Sequence, residues 1–170
     1  MPFPRSRLDA YLVFTDTTLP PDSLHIQFRQ WCVEGYVSNE GRGGSHYAAF
    51  GFGSFQKLSV VSSDTPMLFA NNQGGYRVLC PNNDKIVTVD FTKGVAKWRA
   101  LQNTPKDNIV YCSGCDNGHR LVDFNGKPEF AFGRFAFHFI DIEYSKMNEV
   151  ILDEVEINVG RCKLVLKRVG

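Results

Sequence analysis

Three cysteines and one histidine offer the clearest ligand chemistry in this sequence. Two residues separate Cys112 from Cys115, and His119 follows four residues after Cys115. This spacing is typical of half of a zinc site, where thiolate sulfur and imidazole nitrogen are the ligands. Cys80 would supply a fourth ligand if the fold brought it near. Because the sequence has no second Cys-x-x-Cys, we interpret these thiols as free and predict no metal and no cofactor, with zinc as the alternative.

An aromatic residue between two cations offers a second kind of chemistry. In the segment Lys97-Trp98-Arg99, an exposed ring would stack on a base of single-stranded nucleic acid while the cations met phosphates. The alternative places Trp98 in the core and leaves both cations solvated. The formal net charge is only +1, so nucleic-acid binding would need a local basic patch. The residues predicted for that patch are Arg77, Lys85, Lys93, Lys97, Trp98, Arg99, Lys106 and Arg120.

Catalytic motifs are missing from the sequence. There is no Gly-x-Ser-x-Gly elbow, no phosphate-binding P-loop and no His-Glu-x-x-His. The other histidines, His25, His46 and His138, have no partner that spacing reveals. We therefore predict no catalytic residue and a protein that is not an enzyme.

Composition indicates one β-rich domain. The chain has 170 residues, of which 43% are hydrophobic and 13% aromatic, with 14 phenylalanines; aromatic residues favour strands. No run of about 18 apolar residues predicts a membrane span, and no segment resembles a secretory signal. The five cysteines form an odd set, which favours free thiols in a reducing compartment over a disulfide scaffold.

The elements that must position these residues are mostly short strands separated by turns. One helix is predicted, beginning near Ser145 as N-cap, with Met147, Val150, Ile151 and Val155 at helical spacing. Asn125-Gly126 predicts a hairpin turn. Strands are predicted at 8–15, 24–33, 47–52, 57–62, 66–70, 76–79, 85–91, 95–101, 108–111, 119–124, 130–142 and 163–167. The expected fold is all-β, a small open or closed barrel of about seven or more antiparallel strands with one C-terminal α-helix.

Read in order, these segments resemble coronavirus non-structural protein nine, a small β-barrel subunit of nidovirus replicases. The segments that resemble it are 19–35 (LPPDSLHIQFRQWCVEG), 74–79 (GGYRVL), 97–99 (KWR), 119–122 (HRLV), 135–140 and 148–155. The resemblance implies a single RNA-binding domain over 1–170, in a distant, torovirus-like member of the family. It further implies single-stranded RNA and the viral RNA-dependent RNA polymerase, with its nucleotidyltransferase domain, as partners. The expected location is the host cell cytoplasm, at viral replication complexes.

Some features depart from the family pattern. The family helix forms a homodimer through small residues, whereas Glu149 and Asp153 stand at the matching positions and would repel across a two-fold axis. The stripe of Met147, Val150, Ile151 and Val155 either covers the domain's own core or forms a subunit interface. Residues 36–66 form an insertion and residues 157–170 an extension. The N-terminus that accepts nucleotides in the family has no identifiable match in this sequence.

Two other function classes fit the same composition. A β-sandwich that binds carbohydrate or protein, associated with a virion, would use exposed Trp and Tyr rings, and its binding would persist in high salt. A small zinc enzyme would contain stoichiometric zinc and would lose its fold with a chelator.

Overall fold

The computed structural model describes residues 7–16, 18–20, 22–71, 76–101 and 108–169. This part of the chain contains eight strands, three α-helices and two short 3-10 helices. The strands are β1 (Arg7–Phe14), β2 (Lys57–Phe69), β3 (Arg77–Leu79), β4 (Ile109–Cys112), β5 (Asn117–Arg120), β6 (Asn125–Lys127), β7 (Ala131–Ile140) and β8 (Cys162–Val169). The helices are α1 (Ser23–Val33), α2 (Thr88–Leu101) and α3 (Glu149–Asn158), and the 3-10 helices span Tyr47–Phe50 and Leu121–Asp123.

Four strands form the main sheet, in the order β2-β7-β1-β8. All pairings in it are antiparallel, and the register of β2 against β7 shifts between Ser62 and Met67. Two smaller antiparallel sheets pair β3 with β6 and β4 with β5. These sheets and the helix near the C-terminus confirm the predicted β-rich fold. In the described part of the chain the strand pairings do not close a barrel.

Aromatic residues of β7 organise the core on one face of the main sheet. Phe135, Phe137 and Phe139 alternate along the strand, so they point to the same side, and all three are buried. Trp31 of α1 lies against Phe137, with ring centroids 4.7 Å apart. Val155 of α3 is fully buried in the same core. This face of the main sheet is therefore covered by α1 and α3.

The chain between β2 and β7, residues 70–130, is named the inserted module here. It has a second core of its own, whose members include Val78, Phe91, Val95, Trp98, Val110, Leu121 and Phe130. Helix α2 packs closely on β4 in this core. A Cβ atom at Gly94 would lie 2.4 Å from Cγ2 of Val110, so the close approach of helix and strand requires glycine here.

Four predicted strands are wrong because most of their residues are helical. In 24–33, now α1, the buried residues are Leu24, Gln27 and Trp31, at the three- and four-residue spacing of a helix face. Ile26, which would share one face of a strand with Leu24, is 56% exposed. The predicted strands 85–91 and 95–101 contribute instead to α2, and 47–52 begins with a 3-10 helix.

Other sequence predictions are confirmed or adjusted. The strands predicted at 8–15, 130–142 and 163–167 correspond to β1, β7 and β8, and 57–62 and 66–70 join into the single strand β2. Asn125 and Gly126 lie in β6, paired with β3, rather than in a hairpin turn. The C-terminal helix is confirmed, but its N-cap is Asn148, whose side chain accepts a hydrogen bond from Val150 N.

The apolar stripe of the C-terminal helix mainly covers the protein's own core. Met147, Ile151 and Val155 are buried in the core of the main sheet. Val150 lies on the other side of the helix and is 72% exposed. Of the four residues predicted for a subunit interface, only Val150 is therefore available on the surface. No helix in the described residues is long and apolar enough to cross a membrane.

Candidate metal centre

Two turns of the inserted module have the same backbone design, and each begins at a cysteine. In the first turn Asp84 N donates to Cys80 O at 3.1 Å, and in the second Asp116 N donates to Cys112 O at 2.8 Å. Asp84 and Asp116 both have a positive φ, 60° and 58°, a conformation that Asp tolerates better than most residues. The two turns follow β3 and β4, and they present their cysteines to one another.

Four potential metal ligands converge between these turns. Cys80, Cys112, Cys115 and His119 each offer one ligand atom, and these atoms all lie within 4.8 Å of one another. Cys80 and Cys112 are fully buried, whereas Cys115 and His119 are partly buried. Sulfurs bound tetrahedrally to zinc at about 2.3 Å stand about 3.8 Å apart. Movements of about 1 Å or less would therefore bring the four atoms into coordination distance of one ion.

The fourth ligand comes from a strand rather than from the first turn. The position in the first turn that matches Cys115 is Asn83, whose Nδ2 donates to Gly114 O of the second turn at 2.7 Å. His119 of β5 supplies the remaining ligand, with Nε2 3.1 Å from Sγ of Cys115. The ring of Phe124 meets the His119 ring edge-on, with centroids 5.6 Å apart. This contact and the β4–β5 pairing hold the imidazole in place.

Hydrogen bonds to the sulfur atoms favour thiolates at two of the cysteines. Burial raises the pKa of Cys80, but the backbone N–H groups of Asn82 and Asn83 and the neighbouring thiols outweigh burial and lower it. The hydrogen bond between Cys115 and His119 lowers the pKa of Cys115. At Cys112 burial is the largest effect, and it raises the pKa. Thiolate is the form that binds metal, so this environment suits ligation.

Helix α2 is tied directly to the second cysteine turn. Asp90 Oδ2 accepts a hydrogen bond from Ser113 N at 2.9 Å and another from Ser113 Oγ at 2.6 Å. These two bonds lower the pKa of Asp90. A metal ion that held the second cysteine turn in place would therefore also hold the first turn of α2.

Trp98 is placed in the core of the inserted module. It is 6% exposed, and its ring meets that of Phe132 edge-on, with centroids 5.2 Å apart. Its position agrees with the alternative interpretation of the sequence, in which the Trp98 ring belongs to the core. Trp98 therefore does not offer an open face on which a base could stack.

The predicted RNA-contacting cations lie on several surfaces. Lys93 and Lys97 are one turn apart on the exposed side of α2, and Arg99 is exposed on the same helix. Arg120 forms an ion pair with Asp123, with Nε and Oδ2 2.8 Å apart. Arg77 is exposed on β3, Lys85 is exposed directly after the first cysteine turn, and Lys106 lies outside the described residues. The structure thus places three of the predicted cations on α2, of which Lys93 and Lys97 lie on the same side of the helix.

A repeated Cys-x-x-x-Asp pattern, rather than a second Cys-x-x-Cys, marks the candidate metal centre in the sequence. Residues 80–84 read CPNND and residues 112–116 read CSGCD, so both turns have Cys-x-x-x-Asp. The repeated turn, rather than a repeated ligand pair, relates the two halves of the site.

No protein-family model, curated protein or solved structure gives a significant match to this chain. The resemblance to coronavirus non-structural protein nine therefore stays a prediction, and function has to be inferred from the geometry of the site.

Proposed function

We propose that this chain is a zinc-binding protein in which one zinc ion organises the inserted module as a non-enzymatic binding unit. The ligands are Cys80, Cys112, Cys115 and His119. The observation that carries the proposal is the convergence of their four ligand atoms, from the two cysteine turns and β5, within 4.8 Å of one another.

The donor set identifies the class of metal. Three thiolates and one imidazole are soft and borderline ligands, which favour zinc over the oxygen-seeking magnesium and calcium. All four tetrahedral positions are filled by protein atoms, whereas catalytic zinc sites leave a position for water or substrate. A structural role therefore fits this geometry better than the zinc-enzyme alternative.

The local architecture explains why a metal would be useful here. The strands of the inserted module have three or four residues each and form two-stranded sheets. Isolated two-stranded sheets are at best marginally stable in water. An ion that joins the turn after β3, the turn after β4 and strand β5 would cross-link the module, as structural zinc does in small domains.

Elemental analysis tests the proposal. Protein purified without chelator is expected to contain about one zinc per chain, and Cys112→Ser is expected to lose most of it. Cys32→Ser is the matched control, because Cys32 is a partly buried cysteine of α1 outside the cluster. Replacement of zinc by cobalt should give the absorption of tetrahedral cobalt with thiolate ligands. The proposal would be overturned if wild-type protein purified in the presence of zinc contained none, or if Cys112→Ser contained as much zinc as wild type.

A second candidate function is single-stranded RNA binding, which the resemblance implies, with the exposed side of α2 as the contact surface. It is supported by the exposed cations Lys93 and Lys97, which lie one turn apart on this side of the helix. Because Trp98 is buried, phosphates rather than bases would supply the contacts, so binding would be weak, salt-dependent and insensitive to sequence. Under this proposal the viral polymerase and its nucleotidyltransferase domain are the protein partners, at replication complexes in the host cytoplasm.

Fluorescence anisotropy of a labelled single-stranded RNA at two salt concentrations tests this second candidate. Loss of both cations in Lys93→Ala/Lys97→Ala should weaken binding and reduce the slope of log affinity against log salt by about 1 to 2. The control pair Lys57→Ala/Lys146→Ala removes two exposed lysines elsewhere. Equal effects of the two pairs would contradict a role for α2. Binding of glycans that persists in high salt would favour the carbohydrate alternative.

A further inference from the structure

A cleft of about 450 Å³ opens where the inserted module returns to the main sheet. One wall is formed by the end of β5 and the 3-10 helix Leu121–Asp123, and the other by the start of β8 and the residue before it. The start of β7 forms the floor. This volume is in the range of sites that enclose small molecules.

Cations from separate elements converge on this cleft. Arg120 ends β5, Arg161 precedes β8, and Lys163 lies within β8, and all three line the cavity. The carboxylate that lines it, Asp123, accepts two hydrogen bonds from Arg120, at 2.8 and 3.2 Å. The cleft lining therefore carries an excess of positive charge, and Asp123 holds one guanidinium in a fixed orientation.

The two other cations differ in their partners. Lys163 Nζ lies 3.3 Å from Oε1 of Glu129, and both side chains are well exposed, so this pair is weak. Arg161 is exposed, and no ion pair to it is found among the described residues. Its guanidinium is thus the group best placed to take an external anion, and its planar fork matches a phosphate group.

The floor of the cleft is apolar. Phe130 and Phe132 are 2% and 6% exposed, and their rings meet edge-on with centroids 5.8 Å apart. Val122 and Ala131 extend the apolar lining, and Thr15 adds a hydroxyl group. A cationic rim over an apolar floor suits a ligand with one strongly anionic group and one flat organic part.

We propose that this cleft binds a phosphomonoester of about mononucleotide size. The phosphate lies against Arg161, between Arg120 and Lys163, and the organic part contacts the apolar lining, in which Val122 is partly exposed and the buried Phe130 and Phe132 lie beneath. The site is separate from the four metal ligands, although His119, one of those ligands, directly precedes Arg120 in β5. The proposal therefore rests on the zinc site only for the position of one of its three cations.

Isothermal titration calorimetry with adenosine 5′-monophosphate tests the cleft, on full-length protein whose zinc content is measured in each sample. Arg161→Ala is expected to weaken binding by at least about tenfold, since it removes hydrogen bonds to a charged group. Arg168→Ala is the matched control, because Arg168 is an exposed arginine of β8 that does not line the cleft. It should change the dissociation constant by less than about twofold. Adenosine, which lacks the phosphate, should bind far more weakly.

Three results would overturn the proposal: no saturable binding at millimolar ligand, equal weakening in the two arginine variants, or equal binding of adenosine and its monophosphate. The zinc measurement separates this proposal from the preceding one. Protein without zinc that still binds the monophosphate would contradict the metal site alone. Zinc-loaded wild-type protein without monophosphate binding would contradict the cleft alone.

Discussion

The main sheet and the inserted module bury their cores in different ways. The strands of the main sheet have 8 to 13 residues, and two helices cover one face of it. In the described residues of the inserted module, the strands have three or four residues and share a single α-helix. Each region has a buried aromatic cluster, but only the module, among the described residues, brings potential metal ligands together.

This difference indicates which region of the fold a metal ion would stabilise most. Long strands in a four-stranded sheet gain stability from many cross-strand pairs and from the area that they bury. Short strands gain little of either, so a cross-link between turns contributes a larger share of the module's stability. The main sheet should therefore be insensitive to metal and sensitive to core truncation, whereas the module should depend on the ion.

The largest expected effect is that of metal removal. A chelator should release zinc and unfold the inserted module while the main sheet stays folded, because structural zinc is coupled to folding at apparent binding free energies of about 10 kcal/mol or more. Hydrogen exchange measured by mass spectrometry should show lost protection in α2 and β4 and retained protection in β1 and β7. Added zinc should restore the protection. Equal loss of protection in the module and the main sheet, or no loss in α2, would contradict the proposal that only the module depends on the ion.

Truncation of the core of the main sheet should give the next largest effect. Phe137 is fully buried between Phe14 and Trp31, with ring centroids 5.7 and 4.7 Å away. Phe137→Ala is expected to lower the free energy of unfolding by about 3–5 kcal/mol, measured by urea denaturation, with the zinc content unchanged. Tyr144→Ala, at a 60% exposed ring, should cost less than about 0.5 kcal/mol. A Phe137→Ala protein that loses zinc would show that the two regions are not independent.

The long strands of the main sheet could be predicted because alternation is a strong signal when one face is buried. Phe135, Phe137 and Phe139 give β7 an unambiguous period of two. Helix α1 could not be predicted in this way, since Leu24, Ile26 and Phe28 also alternate. A buried polar residue, Gln27, completes its helical face. In such a short segment the neighbouring structure, rather than the pattern, decides between strand and helix.

The potential metal ligands could be recognised only in part from the sequence. Cys112, Cys115 and His119 are close in sequence, so spacing alone suggests half a site. Cys80 joins them only because the chain folds back through β3, and no local pattern measures that distance. For Trp98, in contrast, a local pattern is present, because Phe91, Val95 and Trp98 have helical spacing. The turn-like Thr92-Lys93-Gly94 between two apolar runs concealed that helix.

A smaller effect should come from the contact between α2 and β4. Alanine normally stabilises a helix relative to glycine, but a Cβ at Gly94 would lie 2.4 Å from Cγ2 of Val110, a side chain with little rotamer freedom. Gly94→Ala is therefore expected to destabilise the module by about 2 kcal/mol, seen as faster hydrogen exchange in α2. Ala96→Gly, on the exposed side of the helix, should cost about 1 kcal/mol. Slower exchange in Gly94→Ala would mean that this contact is not tight.

The smallest effect concerns a buried charge of the main sheet. Asp9 is fully buried, and it accepts hydrogen bonds from Asp141 N at 3.0 Å and Arg7 Nε at 3.1 Å, with His138 Nε2 2.8 Å away. Burial raises the pKa of Asp9, but these hydrogen bonds outweigh burial and lower it. Protein donors thus satisfy this carboxylate, whereas the proposed zinc ion would bind the buried thiols of the module.

Because the pKa of Asp9 is lower in the folded than in the unfolded state, its ionised form adds stability above the unfolded pKa of about 3.9. That stability is lost as the pH falls through the folded pKa. Asp9→Asn should therefore lower the free energy of unfolding by about 1–2 kcal/mol at pH 7, and its difference from wild type should shrink below about pH 4. Urea denaturation across this range measures both effects, with Asp153→Asn as an exposed control. A difference that stays constant with pH would show that the Asn variant loses packing rather than charge. A difference at pH 7 that disappears with chelator would show that the metal also supports the main sheet.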